Sequence, residues 1–202
     1  MFAGLAAALC ILPPASARDL KSHVTDLEQM PRVHPEYPVP NEPNQLFYIE
    51  RSSNSNTVIY TANLDAKGHL DPDKPVIAYW RWYNRGGYIK QLNFAERMMA
   101  YGISSVKHDG PNGAYSFKLA ALPERTLYVG LDGKGRPEVF GKSGERWARL
   151  AYIYLEVDDS GIMPDVPAMD FFGYDRTTGK PLREHVTRHC ASATVGRRAA
   201  IR

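Results

Sequence analysis

The chain has 202 residues, 44% of them hydrophobic and 23% charged, with a formal net charge of +3. That length supports one domain with its own core plus tails, and beyond the first residues no apolar run is long enough to span a bilayer. The positive charge sits at the end, where five arginines face one glutamate from Arg183 to Arg202, so the body is near neutral and nucleic-acid binding is excluded by charge.

Phe2 to Leu12 is almost purely apolar, and Ala15-Ser16-Ala17 forms an A-x-A pattern before Arg18. This reads as a secretory leader over 1–17 cleaved after Ala17, which makes the protein exported, periplasmic or secreted. No Lys or Arg precedes the apolar run, the one departure from the leader pattern. Cys10 leaves with the leader and only Cys190 remains, so no intramolecular disulfide is expected. Residues 18–44 carry Pro31, Pro35, Pro38, Pro40 and Pro43 among polar groups and read as an extended arm.

A single β domain is expected over 45–187. Strand signals run through Leu46–Arg51, Thr57–Leu64, Val76–Tyr83, Gly102–Lys107, Tyr115–Leu122, Thr126–Leu131, Glu138–Phe140, Arg146–Val157, Met169–Tyr174 and Leu182–Val186, separated by Gly, Asp, Asn and Pro turns. The one helical spacing, Leu92 to Ala100, predicts a short helix that plugs or covers the sheet. The pattern argues for a mainly β fold, an antiparallel β-barrel or β-sandwich with one short helix. Residues 188–202 read as a basic, solvated tail.

Val76 to Tyr83 is the most unusual strand. Val76, Ala78, Trp80 and Trp82 share one face and Ile77, Tyr79, Arg81 and Tyr83 the other. Both faces are apolar or aromatic, so covering on both sides is expected. Arg81 then needs a carboxylate, a ligand anion or a solvated mouth. Two readings stand: an internal ion pair with Glu50 or Glu96, or a ligand pocket with Arg81 at its base, Tyr79, Tyr83 and Trp80 around it, and Glu96 and Arg97 nearby.

The blocks Leu46-Phe47-Tyr48-Ile49-Glu50-Arg51, Asn54-Ser55-Asn56-Thr57-Val58, Tyr60-x-Ala62-Asn63, Pro75-Val76 with Tyr79-Trp80, Glu96-Arg97 and Ala100-Tyr101-Gly102 occur in that order. They resemble a family of bacterial proteins catalogued as a domain of unknown function and typically exported. The resemblance runs over roughly Leu46 to Val186. It implies a bacterial exported domain and transfers no activity and no catalytic residue.

No motif carries a defined chemistry. Gly141-Lys142-Ser143 ends like a P-loop, but the required glycine five residues earlier is Arg136 and a strand follows, so it reads as a turn. His185 and His189, with Cys190, have a metal-sharing spacing on a helix, but no Glu follows the first His and they read as polar tail residues. His108-Asp109 reads as a turn before an acid–base couple. Asp158, Asp159 and Asp165 match no calcium loop. No cofactor and no metal site is expected. The leading expectation is a non-enzymatic domain binding a small molecule or an envelope protein. The alternatives are a hydrolase or transferase assembled from scattered residues, with His108, Asp109, Arg81 and Glu96 as first candidates, and an envelope structural or interaction protein.

Overall fold

The computed structural model describes residues 20–160 and 165–188. The stretch read as a leader, His189, Cys190 and the rest of the stretch read as a basic tail lie outside the described residues. In chain order the elements are β1 (Leu20–Asp26), β2 (Gln45–Arg51), β3 (Asn54–Ala62), β4 (Val76–Trp82), β5 (Tyr88–Gln91), α1 (Phe94–Met99), β6 (Ile103–Lys107), β7 (Tyr115–Leu119), β8 (Leu122–Leu131), β9 (Pro137–Ser143), β10 (Arg146–Asp158), β11 (Asp165–Asp175) and β12 (Pro181–Arg188). The mainly β, largely antiparallel class read from the sequence is the one observed, and the sheet curls into a half-barrel. Two strands escaped the sequence reading: β1, inside the stretch read as an arm, and β5, in the unassigned stretch before Leu92.

The thirteen residues of β10 organise the sheet. One edge pairs throughout with β11. The other edge is shared end to end, by β9 along Arg146–Arg149 and by β2 along Tyr152–Leu155. The β2 pairing is parallel, since a long connection rather than a hairpin joins the two strands. Three wings therefore leave β10: β2-β3-β4-β5, β9-β8-β7-β6, and β11-β12-β1.

Period-two alternation sends Phe47 and Ile49, Val58 and Tyr60, Trp80, Ile153, Met169 and Phe171 into one core, joined by Phe117, Leu119, Leu127, Val129 and Val139 from the second wing. Phe47 and Tyr60 stack at 4.2 Å, and the Tyr60 hydroxyl donates to the Tyr101 carbonyl at 2.8 Å. That bond ties the first wing to the segment entering β6.

Helix α1 is shorter than the spacing predicts and does not cover the sheet. Asn93 caps it, accepting from the Glu96 N–H while Glu96 accepts from the Asn93 N–H. Gly102 packs against its last turn, where a Cβ would lie 1.9 Å from the Arg97 carbonyl oxygen. Leu92, read as part of the helix, is buried just before the cap, and none of the six helical residues is buried.

Candidate functional site

The residues singled out in the sequence separate into three places. Trp80, 4% exposed, lies in the core, with the Arg51 guanidinium 5.0 Å from its ring centre and the Tyr101 ring edge-on at 5.1 Å. Tyr79, Arg81 and Tyr83 lie on the opposite, half-buried face, and on the Trp80 face Val76 and Trp80 are buried while Ala78 and Trp82 are partly exposed. There Arg81 bonds to Glu42 and donates to the Gly87 carbonyl at 2.7 Å. The internal carboxylate is thus Glu42, from the proline-rich segment, rather than Glu50 or Glu96. The bond to Glu42 raises the Arg81 pKa, and burial raises Tyr79 and Tyr83.

Glu96 and Arg97 form the third place. Glu96 is held in the helix cap and lies 3.7 Å from Lys90. Arg97 lines a cleft of about 210 Å³ with Lys74, Gln91, Leu92, Ile103 and Val106, between β4 and β6.

The other sequence candidates have local partners. His108 donates to the Gly113 carbonyl at 2.9 Å and stacks on Tyr115, while Asp109 accepts from Ser116, which fastens the β6–β7 turn. Lys142 of the P-loop-like triplet sits in β9, bonds to the Glu145 carbonyl and covers the Trp147 ring. No three metal-ligating side chains cluster among the described residues.

A different set of polar side chains is assembled by strand register. Tyr154 of β10 pairs with Glu50 of β2 and Asp170 of β11, Asp170 with His185 of β12, and His185 with His23 of β1. Paired positions share a face, so these five residues form one row across five strands. The row beside it runs Tyr48, Tyr152, Phe172, Arg183 and Thr25. Tyr152 stacks on Tyr48 at 5.2 Å and on Phe172 at 4.5 Å, and the Arg183 guanidinium lies 6.0 Å from the Phe172 ring centre. An aromatic floor thus lies beside a polar ribbon.

At the open end of this ribbon, Asp170 is nearly buried and serves two partners. Arg183 donates to it from Nε at 2.8 Å and from Nη2 at 2.9 Å, and His185 donates from Nδ1 at 2.7 Å. A carboxylate only accepts, so this contact calls for the proton on Nδ1, while the Arg183 Nη2 lies 3.3 Å from the same nitrogen. The side chains of Arg183 and His185 remain 41% and 39% exposed. His185 is therefore a strand residue with a fixed carboxylate partner, which corrects its reading as part of a polar tail.

The arm closes the other end. The Tyr152 hydroxyl donates to the Pro31 carbonyl at 2.8 Å, and His34, stacked on Tyr37, lies 3.3 Å through Nε2 from the Tyr154 hydroxyl and 2.9 Å through Nδ1 from Glu36. Glu50 lies beneath, 8% exposed, its Oε1 without a hydrogen-bond partner among the described residues. Burial pushes its carboxyl above the ordinary range, while His34 and Arg32 pull it back. Burial also pushes the Tyr48 phenol up to about 12 and raises Tyr152 further.

The chemistry available is specific. Arg183 offers a permanent charge, and His185 a partly exposed ring that Asp170 holds through Nδ1. The pair suits recognition of a carboxylate or phosphate. A carboxylate-held imidazole is also the arrangement that activates water or a hydroxyl.

The family model described as Domain of unknown function (DUF4833) matches residues 47–185. No curated protein and no solved structure matches the chain. The matched span takes in β2 to β12 as far as His185, and so includes Glu50, Tyr154, Asp170, Arg183 and His185.

Proposed function

As the chain belongs to the DUF4833 family, whose description names no activity, we propose a function from its geometry: an exported bacterial binding domain whose ligand is an anion, taken by Arg183 and His185 at the open end of the polar ribbon. The observation that carries this is the shared use of Asp170. One nearly buried carboxylate aligns a guanidinium and an imidazole, and both stay more than a third exposed. Arg183 brings a permanent positive charge to the opening, and His185 adds beside it a ring that Asp170 holds through one nitrogen only. Tyr152 and Phe172, both nearly buried, form a stacked apolar floor that supports the pair from within the fold. Export rests on the apolar run and the A-x-A pattern before Arg18.

The test is an NMR titration following the histidine ring signals with inorganic phosphate and, separately, acetate as probes. Saturable shifts at His185, lost in Arg183→Met with the β12 amide signals in place, support the reading. Shifts that persist in Arg183→Met and in His185→Phe, or no shift with either anion, overturn it.

The hold of Asp170 on His185 favours one second reading, a hydrolase or transferase in which His185 is the general base. No hydroxyl or thiol bonds to His185 among the described residues, so water would be the attacking group. Turnover of an ester or phosphoester substrate, abolished in His185→Ala and weakened in Asp170→Asn, would establish that reading over simple binding.

A further inference from the structure

Exposed apolar side chains concentrate in one short stretch. Tyr88, Ile89, Phe94, Met98 and Met99 are 62%, 46%, 76%, 64% and 60% exposed. In α1 the apolar residues face the wrong way for a helix that serves a core. At helical spacing Phe94, Ala95, Met98 and Met99 fall within one arc, with Glu96 and Arg97 on the remainder. No α1 residue is buried, so that arc is turned to solvent. An amphipathic helix normally buries this stripe.

Cations accompany the stripe. The Arg85 guanidinium and the Lys90 ammonium each lie 4.6 Å from the Trp82 ring centre, and Lys90 lies 3.7 Å from Glu96 of the helix. Arg85, Trp82, Lys90 and α1 thus form one connected surface, and Arg97 belongs to the helix itself. Three cations face one carboxylate between Trp82 and Tyr101, in a body that is otherwise close to neutral.

From these observations we propose that α1, with the β4–β5 turn that carries Arg85, docks on an anionic phospholipid bilayer. Phe94, Met98 and Met99 seat at the boundary between headgroups and acyl chains, while Arg85 and Arg97 meet the lipid phosphates. The local excess of positive charge selects an anionic surface. A six-residue helix on a sheet edge lies on a membrane and does not span it. Binding is peripheral and falls as salt screens the headgroups. The site is separate from Arg183 and His185, and either proposal can fail without the other.

The test is co-sedimentation of the full chain with phosphatidylglycerol-rich vesicles. Two double variants, Phe94→Ser/Met98→Ser and Arg85→Glu/Arg97→Glu, are compared with wild type after circular dichroism confirms their fold. All three chains share the same apolar N-terminus, so differences between them report on α1 and the turn. The expected result is salt-sensitive binding by wild type and a loss of about tenfold in each double variant. Equal binding by all three chains overturns the proposal, as does no binding by wild type. Light scattering gives the remaining outcome: a wild-type dimer that dissociates in Phe94→Ser/Met98→Ser makes the stripe a contact with a second copy, and overturns the bilayer reading.

Discussion

Glu50 has its carboxyl raised by burial under the arm, with one oxygen lacking a hydrogen-bond partner among the described residues. The folded state therefore holds a proton at Glu50 more tightly than the unfolded chain does. Its contribution to stability is most favourable at or below pH 4.5, the ordinary value of a glutamate carboxyl, and is lost as pH rises through the higher folded-state value. Above that the charge stays buried at a cost. Glu50→Gln should accordingly raise the melting temperature at neutral pH and change it little near pH ~4, where both side chains are uncharged. A lower melting temperature at neutral pH would show that the ionised carboxylate is well solvated or paired. Arg81 carries the opposite lesson. Its charge is satisfied by Glu42 and the Gly87 carbonyl, so the residue that looked most like a ligand anchor already has internal partners.

Single contacts join the wings of the half-barrel, and Arg125 is the clearest. It leaves β8, donates to Glu184 of β12 at 2.5 Å and to the Lys142 carbonyl of β9 at 2.7 Å, and lies over the Phe171 ring of β11 at 3.8 Å. Its side chain is 20% exposed and that of Glu184 only 6%. Removing the guanidinium leaves a buried carboxylate alone, so Arg125→Leu should destabilise the fold by about 3 kcal/mol in urea unfolding. Arg136→Leu serves as the control. It removes the Asp132 pair, whose arginine is 70% exposed, and should cost no more than about 1 kcal/mol. Equal effects of the two substitutions would deny Arg125 its role between the wings. Helix α1 is the converse case. Its apolar spacing was correctly read as helical, but a helix starting at the Asn93 cap and ending against Gly102 is too short to lay a layer on the sheet.

For the whole molecule, stability should be graded outward from β10. This strand is paired on both edges, whereas β5 and β6 end their wings and β1 has only β12 beside it. Native-state hydrogen exchange should find the slowest amides in β10 and β2 and the fastest strand amides in β5, β6 and β1. Uniform protection across the sheet would mean that the wings open only with the whole fold.

Period-two alternation, turn residues and composition determined the β class, most strands, the short helix and a near-neutral body, because each depends on neighbours within a few residues. The candidate site was not read from the sequence: Asp170 was not singled out and His185 was read with the tail, although Arg183 and His185 stand two apart on one strand and therefore share a face. The register was not legible. Whether Asp170 meets His185, whether β2 lies parallel to β10, and whether Glu42 reaches Arg81 depend on partners from 15 to about 100 residues apart. A strand's own pattern says which face is buried and leaves open which strand lies beside it. Only the curled sheet decided that Arg81 would be consumed internally, that Arg183 and His185 would stand open, and that the apolar stripe of α1 would face outward.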